Sequence, residues 1–404
     1  MRIARPTYLA AVEPFIDQPL VKVLTGLRRS GKSTLLRLIG DRLRARGVSP
    51  ERLIYLDFDS LDLAALTDAT PLHAHLAERF GDDGRYYLLL DEIQEVEGWE
   101  KAVNSLIATR NVDIYLTGSN SRLLSSELAT YIAGRYVSIE VSTLSFAEHL
   151  AFTAALDPDA SQATDEQFAR YLRRGGFPGL YFGNYADQQL YQAVEDIYAS
   201  ALIRDTITRH GIRNVDMLNR IAAFALDNVG NPFSARSIAD YFKSQRRKVD
   251  PETVVNYLDA MTESFLLHRT PRYDLVGRKL LTINEKYYAG DHGLVHARLG
   301  YQDRHLPGTL ENIVQAELRR RGYRVMVGKL GEQEVDFVAE VGDERLYVQV
   351  TTTMVEARTR DRELAPLLAI KDAHPKLVLS LDRHAGGSES GIKHRWVPEW
   401  LLGD

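Results

Sequence analysis

The sequence predicts an α/β protein in which a parallel P-loop sheet with a helical lid is followed by a helical segment closed by a strand pair, and then by a second α/β module. Three observations carry this expectation. Residues Gly26-Leu27-Arg28-Arg29-Ser30-Gly31-Lys32-Ser33-Thr34 lie between an apolar run, Leu20 to Leu24, and a helix-patterned stretch, Leu35 to Ile39. Two later apolar runs, Tyr86 to Leu90 and Val112 to Leu116, end abruptly in polar residues, as strands buried on both faces do at the ligand-bearing rim of a parallel sheet. Beyond residue 200 the apolar spacing becomes helical, and beyond Leu310 a helix pattern gives way to three strand-like runs.

The first element is the P-loop. The pattern G-x-x-x-x-G-K-[ST] needs glycine because backbone N–H groups must turn inward around phosphate oxygens. Residues Gly26 to Thr34 are therefore expected to bind ATP, with Lys32 reaching the β- and γ-phosphates and Ser33 ligating Mg²⁺. The helix that follows aims its N-terminal dipole at the same anion.

Arg52 to Phe58 reads as the next strand, and Tyr86 to Leu90, which runs into Asp91-Glu92, as a Walker B strand. Asp91 would act through the metal, and Glu92 as base or water-positioning group. A strand that merely ends in an acidic turn is the alternative. The run Val112 to Leu116 ends in Thr117-Gly118-Ser119-Asn120, so Thr117, Ser119 and Asn120 reach the same rim as γ-phosphate sensors or as a helix N-cap. Arg135 opens a further strand; it is either an arginine finger whose planar fork stabilises phosphoryl charge, or a surface arginine in a turn.

Composition narrows the classes. A chain of 404 residues with 45% hydrophobic content supports two or three domains. The net charge of -5 gives no global signal for nucleic acid, so any such contact must come from a local patch. Cysteine is absent, which excludes disulfide scaffolds and Cys-ligated metal and fits a reducing compartment, so a cytoplasmic location is expected. No apolar leader or membrane-length run is visible, and membrane association is not expected. No His pair at metal-ligand spacing and no Gly-x-Ser-x-Gly stands out.

Gly26 to Ser33, Leu90-Asp91-Glu92-Ile93-Gln94, Leu116 to Asn120, Ala133-Gly134-Arg135-Tyr136 and Gly175-Gly176-Phe177-Pro178 occur in order. Together they resemble the signatures of a prokaryotic AAA+ ATPase family that carries a C-terminal domain of unknown function. The resemblance spans nearly the whole chain. It implies an AAA+ fold, ATP hydrolysis with Mg²⁺, and a homo-oligomeric ring, such as a hexamer. The expected organisation is an ATPase core at 1–145, a helical lid and connector at 146–212, a winged-helix domain at 213–300 and a nuclease-like domain at 301–404.

In the third segment, Leu218 to Val229 is helical in pattern, a second helix starts at Ser234, and Pro251 to Phe265 forms a third capped by Asp250. Leu266 to Thr270 and Leu280 to Ile283 flank a wing. Residues 201–300 hold 15 Lys and Arg against 11 Asp and Glu, an excess of +4 within a chain of -5. On duplex DNA, Thr253, Asn256 and Tyr257 would face the major groove while Arg246, Arg247, Lys248, Arg278 and Lys279 met phosphate. Packing or partner binding is the alternative use of such helices.

From Leu310, Glu311 on a helix, Asp336 on a strand and the run Leu346 to Thr351 resemble the core of PD-(D/E)XK nucleases. That fold gathers a helical Glu, a strand Asp and an acid-x-Lys around Mg²⁺. Glu311 and Asp336 match, but Gln349 stands at the carboxylate position and Thr351 at the lysine, so phosphodiester cleavage is not expected. Glu311 has a second reading as a helix N-terminal acid. Segments 154–167 and 385–391 read as loops. The expectation is an Mg-dependent ATPase that binds or remodels DNA, branched or structured DNA included, against a nucleotide-gated switch that binds protein partners.

Overall fold

A computed structural model describes residues 2–81, 84–121, 132, 134–161, 163–383 and 387–403. The chain divides into two compact units, Met1–Val141 with Glu263–Phe265, and Ser142–Thr262 with Leu266–Asp404.

In the first unit five strands, β1 (Val21–Thr25), β2 (Leu53–Asp57), β3 (Tyr86–Asp91), β4 (Val112–Gly118) and β5 (Tyr136–Glu140), form a wholly parallel sheet in the order β2-β3-β4-β1-β5. The near-continuous apolar runs follow from burial on both faces. Leu88 and Leu90 of β3 pack with Trp99, Val103 and Leu106 of the helix Trp99–Thr109, whereas Tyr87 and Leu89 pack with Leu35, Leu36 and Ile39 of the helix Lys32–Ala45. Successive side chains of one strand thus feed two cores, and the strand ends are left to carry polar chemistry.

The second unit begins with helices α1 (Phe146–Leu156), α2 (Thr164–Arg174) and α3 (Asp187–Ser200), the last running into a π-helical turn at Ala201–Thr208. Helices α4 (Val215–Asp227), α5 (Ala235–Ser244) and α6 (Pro251–Glu263) follow. Ser234 caps α5 by accepting from the Ser237 N–H, and Asp250 accepts from the Thr253 N–H at the start of α6, as the sequence suggests. Next come the hairpin β7 (Leu267–Asp274) and β8 (Lys279–Ala289), the short α7 (Gly293–Leu299), α8 (Leu306–Arg320), β9 (Arg324–Leu330), β10 (Gln333–Val341), β11 (Glu344–Val350), α9 (Ala357–Ala369), β12 (Lys376–Ser380), β13 (Gly387–Glu389) and β14 (Ile392–Trp396). With β6 (Pro232–Phe233), these strands make one nine-stranded sheet, ordered β13-β14-β12-β11-β10-β9-β7-β8-β6. The hairpin expected as a wing is therefore continuous with the expected nuclease-like strands, because Arg272 to Asp274 pair in parallel with Val327 to Lys329.

Two expected loops are partly regular. Within 154–167, α1 runs to Leu156 and α2 starts at Thr164, with Asp165 and Glu166 placed where the helix dipole favours acids. Within 385–391, where 385 and 386 lie outside the described residues, Gly387–Glu389 pairs antiparallel with β14 across Ser390 and Gly391. Both of those turn residues have positive φ, the geometry a two-residue hairpin requires.

Candidate nucleotide site

The P-loop leaves β1 at Gly26, whose φ of 143° is open to glycine, and an added Cβ there would collide with the carbonyl of Val141. Gly31, also at positive φ, caps the helix Lys32–Ala45. Lys32 Nζ donates to the carbonyls of Gly26 at 2.9 Å and Leu27 at 3.1 Å, so the loop is curled around its own ammonium. Arg5 braces the loop from below by donating to the Ser30 carbonyl at 2.9 Å. Ser30 is buried, Ser33 and Arg28 are half-buried, and Arg29 and Thr34 are exposed.

Asp91, at the end of β3, is buried beside this loop. Its Oδ2 accepts from the Tyr55 hydroxyl at 2.6 Å and its Oδ1 from the Thr117 hydroxyl. Thr117 Oγ1 in turn accepts from the Glu92 N–H at 2.8 Å. One hydroxyl thus ties both acidic residues to the end of β4. Glu92 has a left-handed φ of 53°, and its carboxylate accepts from the Gln94 amide. Burial raises the Glu92 pKa above the ordinary carboxylate value, with the charge of Lys32 opposing that rise. Ser119 and Asn120 are fully buried on the same rim.

Arg135 does not join this group. It is exposed, and its carbonyl accepts from the Val21 N–H, at the start of β1. The P-loop leaves the other end of β1, roughly 16 Å away at about 3.3 Å per strand residue. Arg135 therefore belongs to the opposite rim from this chain's own P-loop. Of its motif, Ala133 lies outside the described residues.

In the second unit, Arg246, Arg247 and Lys248 form an exposed link before α6, and Arg278 and Lys279 sit exposed at the tip of the β7–β8 hairpin. Arg247 is also 3.4 Å from Asp216. Asn256 is exposed, whereas the Thr253 hydroxyl is engaged by Asp250 at 2.8 Å. Tyr257, expected to face a groove, is instead buried, because it lies on the apolar stripe of α6 with Val254, Leu258 and Met261.

Glu311, Asp336 and Gln349 do come together. Asp336 Oδ2 accepts from the Val350 N–H at 2.8 Å, Gln349 Oε1 accepts from the Asp336 N–H at 3.3 Å, and Gln349 Nε2 donates to Glu363 at 3.0 Å. The Thr351 hydroxyl turns away to the Thr353 carbonyl. Glu311 is not a helix N-terminal acid, since α8 starts at Leu306, with Pro307 in its first turn, and leaves Glu311 in the second turn. It meets Lys286 of β8 at 3.1 Å and the Tyr288 hydroxyl at 3.0 Å. Sequence reasoning gave no role to Lys286, Tyr288, Tyr55, Arg5 or Gln94, although Gln94 stands in the signature that follows β3. The available signal for Lys286 was a lysine inside the aromatic run Lys286-Tyr287-Tyr288.

The sheet, loop and carboxylate rim define a P-loop protein of the AAA class, and residues 18–150 match the family model described as an AAA domain. Residues 165–305 match a domain of unknown function, DUF8612. An uncharacterised protein of Haemophilus influenzae is 37% identical over 403 residues, covering 99% of this chain and 98% of its own length. The chain belongs to that protein's family, and in this chain the AAA domain precedes the DUF8612 domain. An uncharacterised protein of Methanocaldococcus jannaschii is 29% identical over 365 residues, spanning 87% of this chain and 79% of its own. Among solved structures, a Walker-type ATPase of Pyrococcus abyssi shares the fold at a TM-score of 0.52 and 14% identity, covering 73% of this chain and 95% of that one. Among the described residues, no helix is long and apolar enough to cross a membrane.

Proposed function

We propose that this chain is an Mg-dependent ATP hydrolase that couples turnover to DNA, duplex or branched, as a homo-oligomer. The observation that carries the hydrolase reading is the Thr117 hydroxyl, which holds Asp91 and Glu92 together beside the P-loop. The residues fit a nucleotide with its metal: a cradle that a Cβ at Gly26 would obstruct, an ammonium resting on backbone carbonyls, and a buried carboxylate on the same rim. Bound Mg²⁺ would supply stabilisation of the charge on the transferred phosphoryl group. Ser33 and Asp91 would hold it, with Tyr55 orienting Asp91. Lys32 would leave the Gly26 and Leu27 carbonyls for the β- and γ-phosphates, and Glu92 would position or deprotonate the attacking water. Ser119 and Asn120 would sense the γ-phosphate. Arg135 would serve a neighbouring subunit's pocket, a reading supported by its exposure and its distance from the P-loop of its own chain.

DNA contact is supported by the exposed Arg246, Arg247, Lys248, Arg278 and Lys279 within the locally basic stretch. On this reading α4 to α6 act as a winged helix, with Thr253 and Asn256 toward the duplex. The nuclease-like module contributes binding surface without cutting, since Gln349 and Thr351 replace the acid and the lysine.

Lys32→Ala is expected to abolish ATP binding, and Glu92→Gln to bind ATP without turnover; normal turnover in Glu92→Gln would remove that residue's role. Mobility shifts on duplex, single-stranded and branched DNA over a salt series test the second half. If no DNA is bound in a salt-sensitive way, the DNA reading falls. A monomer with turnover indifferent to DNA would point instead to a nucleotide-gated switch for protein partners.

A further inference from the structure

Arg37 lies in the second turn of the helix Lys32–Ala45, beyond the P-loop motif, with 45% of its side chain exposed. Its guanidinium nevertheless has several partners on β2. Nε donates to the Tyr55 hydroxyl at 3.1 Å, the guanidinium carbon lies 5.1 Å from the centroid of the Tyr55 ring, and Nη2 is 3.6 Å from Asp57 Oδ2. Tyr55 and Asp57 alternate with Leu56 and so share a face of the strand. Asp57 is also the register partner of Asp91 on β3, which sets a second carboxylate beside the one that Tyr55 contacts. The Tyr55 hydroxyl has one proton to give, and it gives it to Asp91 Oδ2 at 2.6 Å.

A carboxylate turns easily about its terminal bond, because that torsion is broad and two-fold. Thr117 donates only to Oδ1 of Asp91, so the plane of the group depends on the second donor, Tyr55. Arg37 occupies a lone pair of that hydroxyl and leaves its proton for a carboxylate, and the same fork neutralises Asp57, the rival acceptor. We propose that Arg37 is a positioning residue of the nucleotide site, acting through Tyr55 to reserve the metal-holding role for Asp91 and to keep Asp57 out of it. The inference rests on the reading that Asp91 holds Mg²⁺ with bound ATP. Without the guanidinium, Asp57 and Asp91 would stand on neighbouring strands as unrelieved like charges, and the Tyr55 hydroxyl would turn to either. Partners that orient a metal-holding carboxylate in this way change metal affinity about 10- to 100-fold.

The test is the affinity of the full chain for a fluorescent, slowly hydrolysed ATP analogue, titrated once in EDTA and once in saturating Mg²⁺. By linkage, the ratio of the two affinities reports how tightly metal is held once nucleotide is bound. Arg37→Met, which keeps the stem against the Tyr55 ring, and Tyr55→Phe are each expected to cut that ratio about tenfold while the affinity in EDTA stays at the wild-type value. The double variant should lose no more than either single one, because the two residues act in one chain. Adding Asp57→Ala to Arg37→Met should restore most of the ratio, which a merely structural role of Arg37 would not allow. A wild-type ratio in Arg37→Met, no recovery with Asp57→Ala, or an equal loss of affinity in EDTA overturns the inference. So does a wild type that binds nucleotide no tighter with Mg²⁺ than without. A wild type that binds no nucleotide at all would instead sink the nucleotide-site reading, and the inference with it.

Discussion

Asp291→Ala should unfold the second unit early without touching nucleotide binding. The Asp291 carboxylate, in a residue only 2% exposed, accepts from the Gly176 N–H through Oδ2 and from the Gly293 N–H through Oδ1, both at 2.8 Å. It thereby fastens the end of α2 to the start of α7, and the adjacent His292 repeats the link through the Tyr171 carbonyl at 2.8 Å. Gly175 owes its identity to this clamp, because a Cβ there would collide with Asp291 Oδ1 and the Gly293 backbone, whereas a Cβ on Gly176 would meet the backbone of Leu144. Each hydrogen bond to a charged group contributes about 1.5–3 kcal/mol, and its loss strands a buried N–H. Two such losses give about 3–6 kcal/mol; recovering the desolvation cost of the carboxylate moves the expected value to the lower end. For a unit of this size that is a fall in Tm on the order of 10 °C. Thermal and urea unfolding followed by the fluorescence of Trp396 and Trp400, both in the second unit, would read it. Asp291→Asn, which keeps one acceptor oxygen, should lose about half as much. If Asp291→Ala stays within about 1 kcal/mol of wild type, the clamp is not what holds these segments.

Further outcomes follow from other contacts. Thr117→Val preserves shape but removes the hydroxyl between Asp91 and Glu92, so ATP turnover should fall about tenfold, the rate equivalent of about 1.4 kcal/mol, with nucleotide affinity nearly unchanged in a binding titration. Gly26→Ala drives a methyl into the Val141 carbonyl and should abolish binding of fluorescent ATP analogues. Asp336 carries a pKa raised to about 8, by burial first and by the charge of Glu311 second. Its contribution to stability is full below the ordinary aspartate value of about 3.9 and is lost as pH rises through 8. Urea unfolding across that window should show falling stability in wild type and a flatter profile in Asp336→Asn.

The P-loop and the carboxylate pair were legible because their chemistry is local: a phosphate cradle needs contiguous residues, and a strand buried on both faces must announce its end with polar groups. The side of the sheet on which Arg135 falls was not legible. That depends on β5 joining β1 in parallel, a pairing between distant segments that leaves no local trace. The Asp291 clamp was hidden for the same reason, since residues 176 and 293 meet only once the helices pack. The hairpin β7–β8 was visible as strands, but its union with β9 was not, because edge pairing is decided by which strands the fold leaves open.

The buried lysines carry the most general lesson. Lys22 in Val21-Lys22-Val23 and Lys286 in Lys286-Tyr287-Tyr288 both interrupt strands that pack on two sides, where an ammonium survives only with a partner. Lys22 pairs with the carboxylate of Asp113, which the Tyr115 hydroxyl and the Asp17 N–H also share. There burial prevails over that partner and lowers the lysine pKa. Lys286 faces three carboxylates, and its pKa rises in spite of equal burial. One partner is enough for a structural ion pair. At Lys286 three acids share one ammonium, and burial together with their mutual repulsion lifts the carboxyl of Asp336 as well, so the second place is a many-partnered salt bridge in which protonation, not a further cation, relieves the crowding.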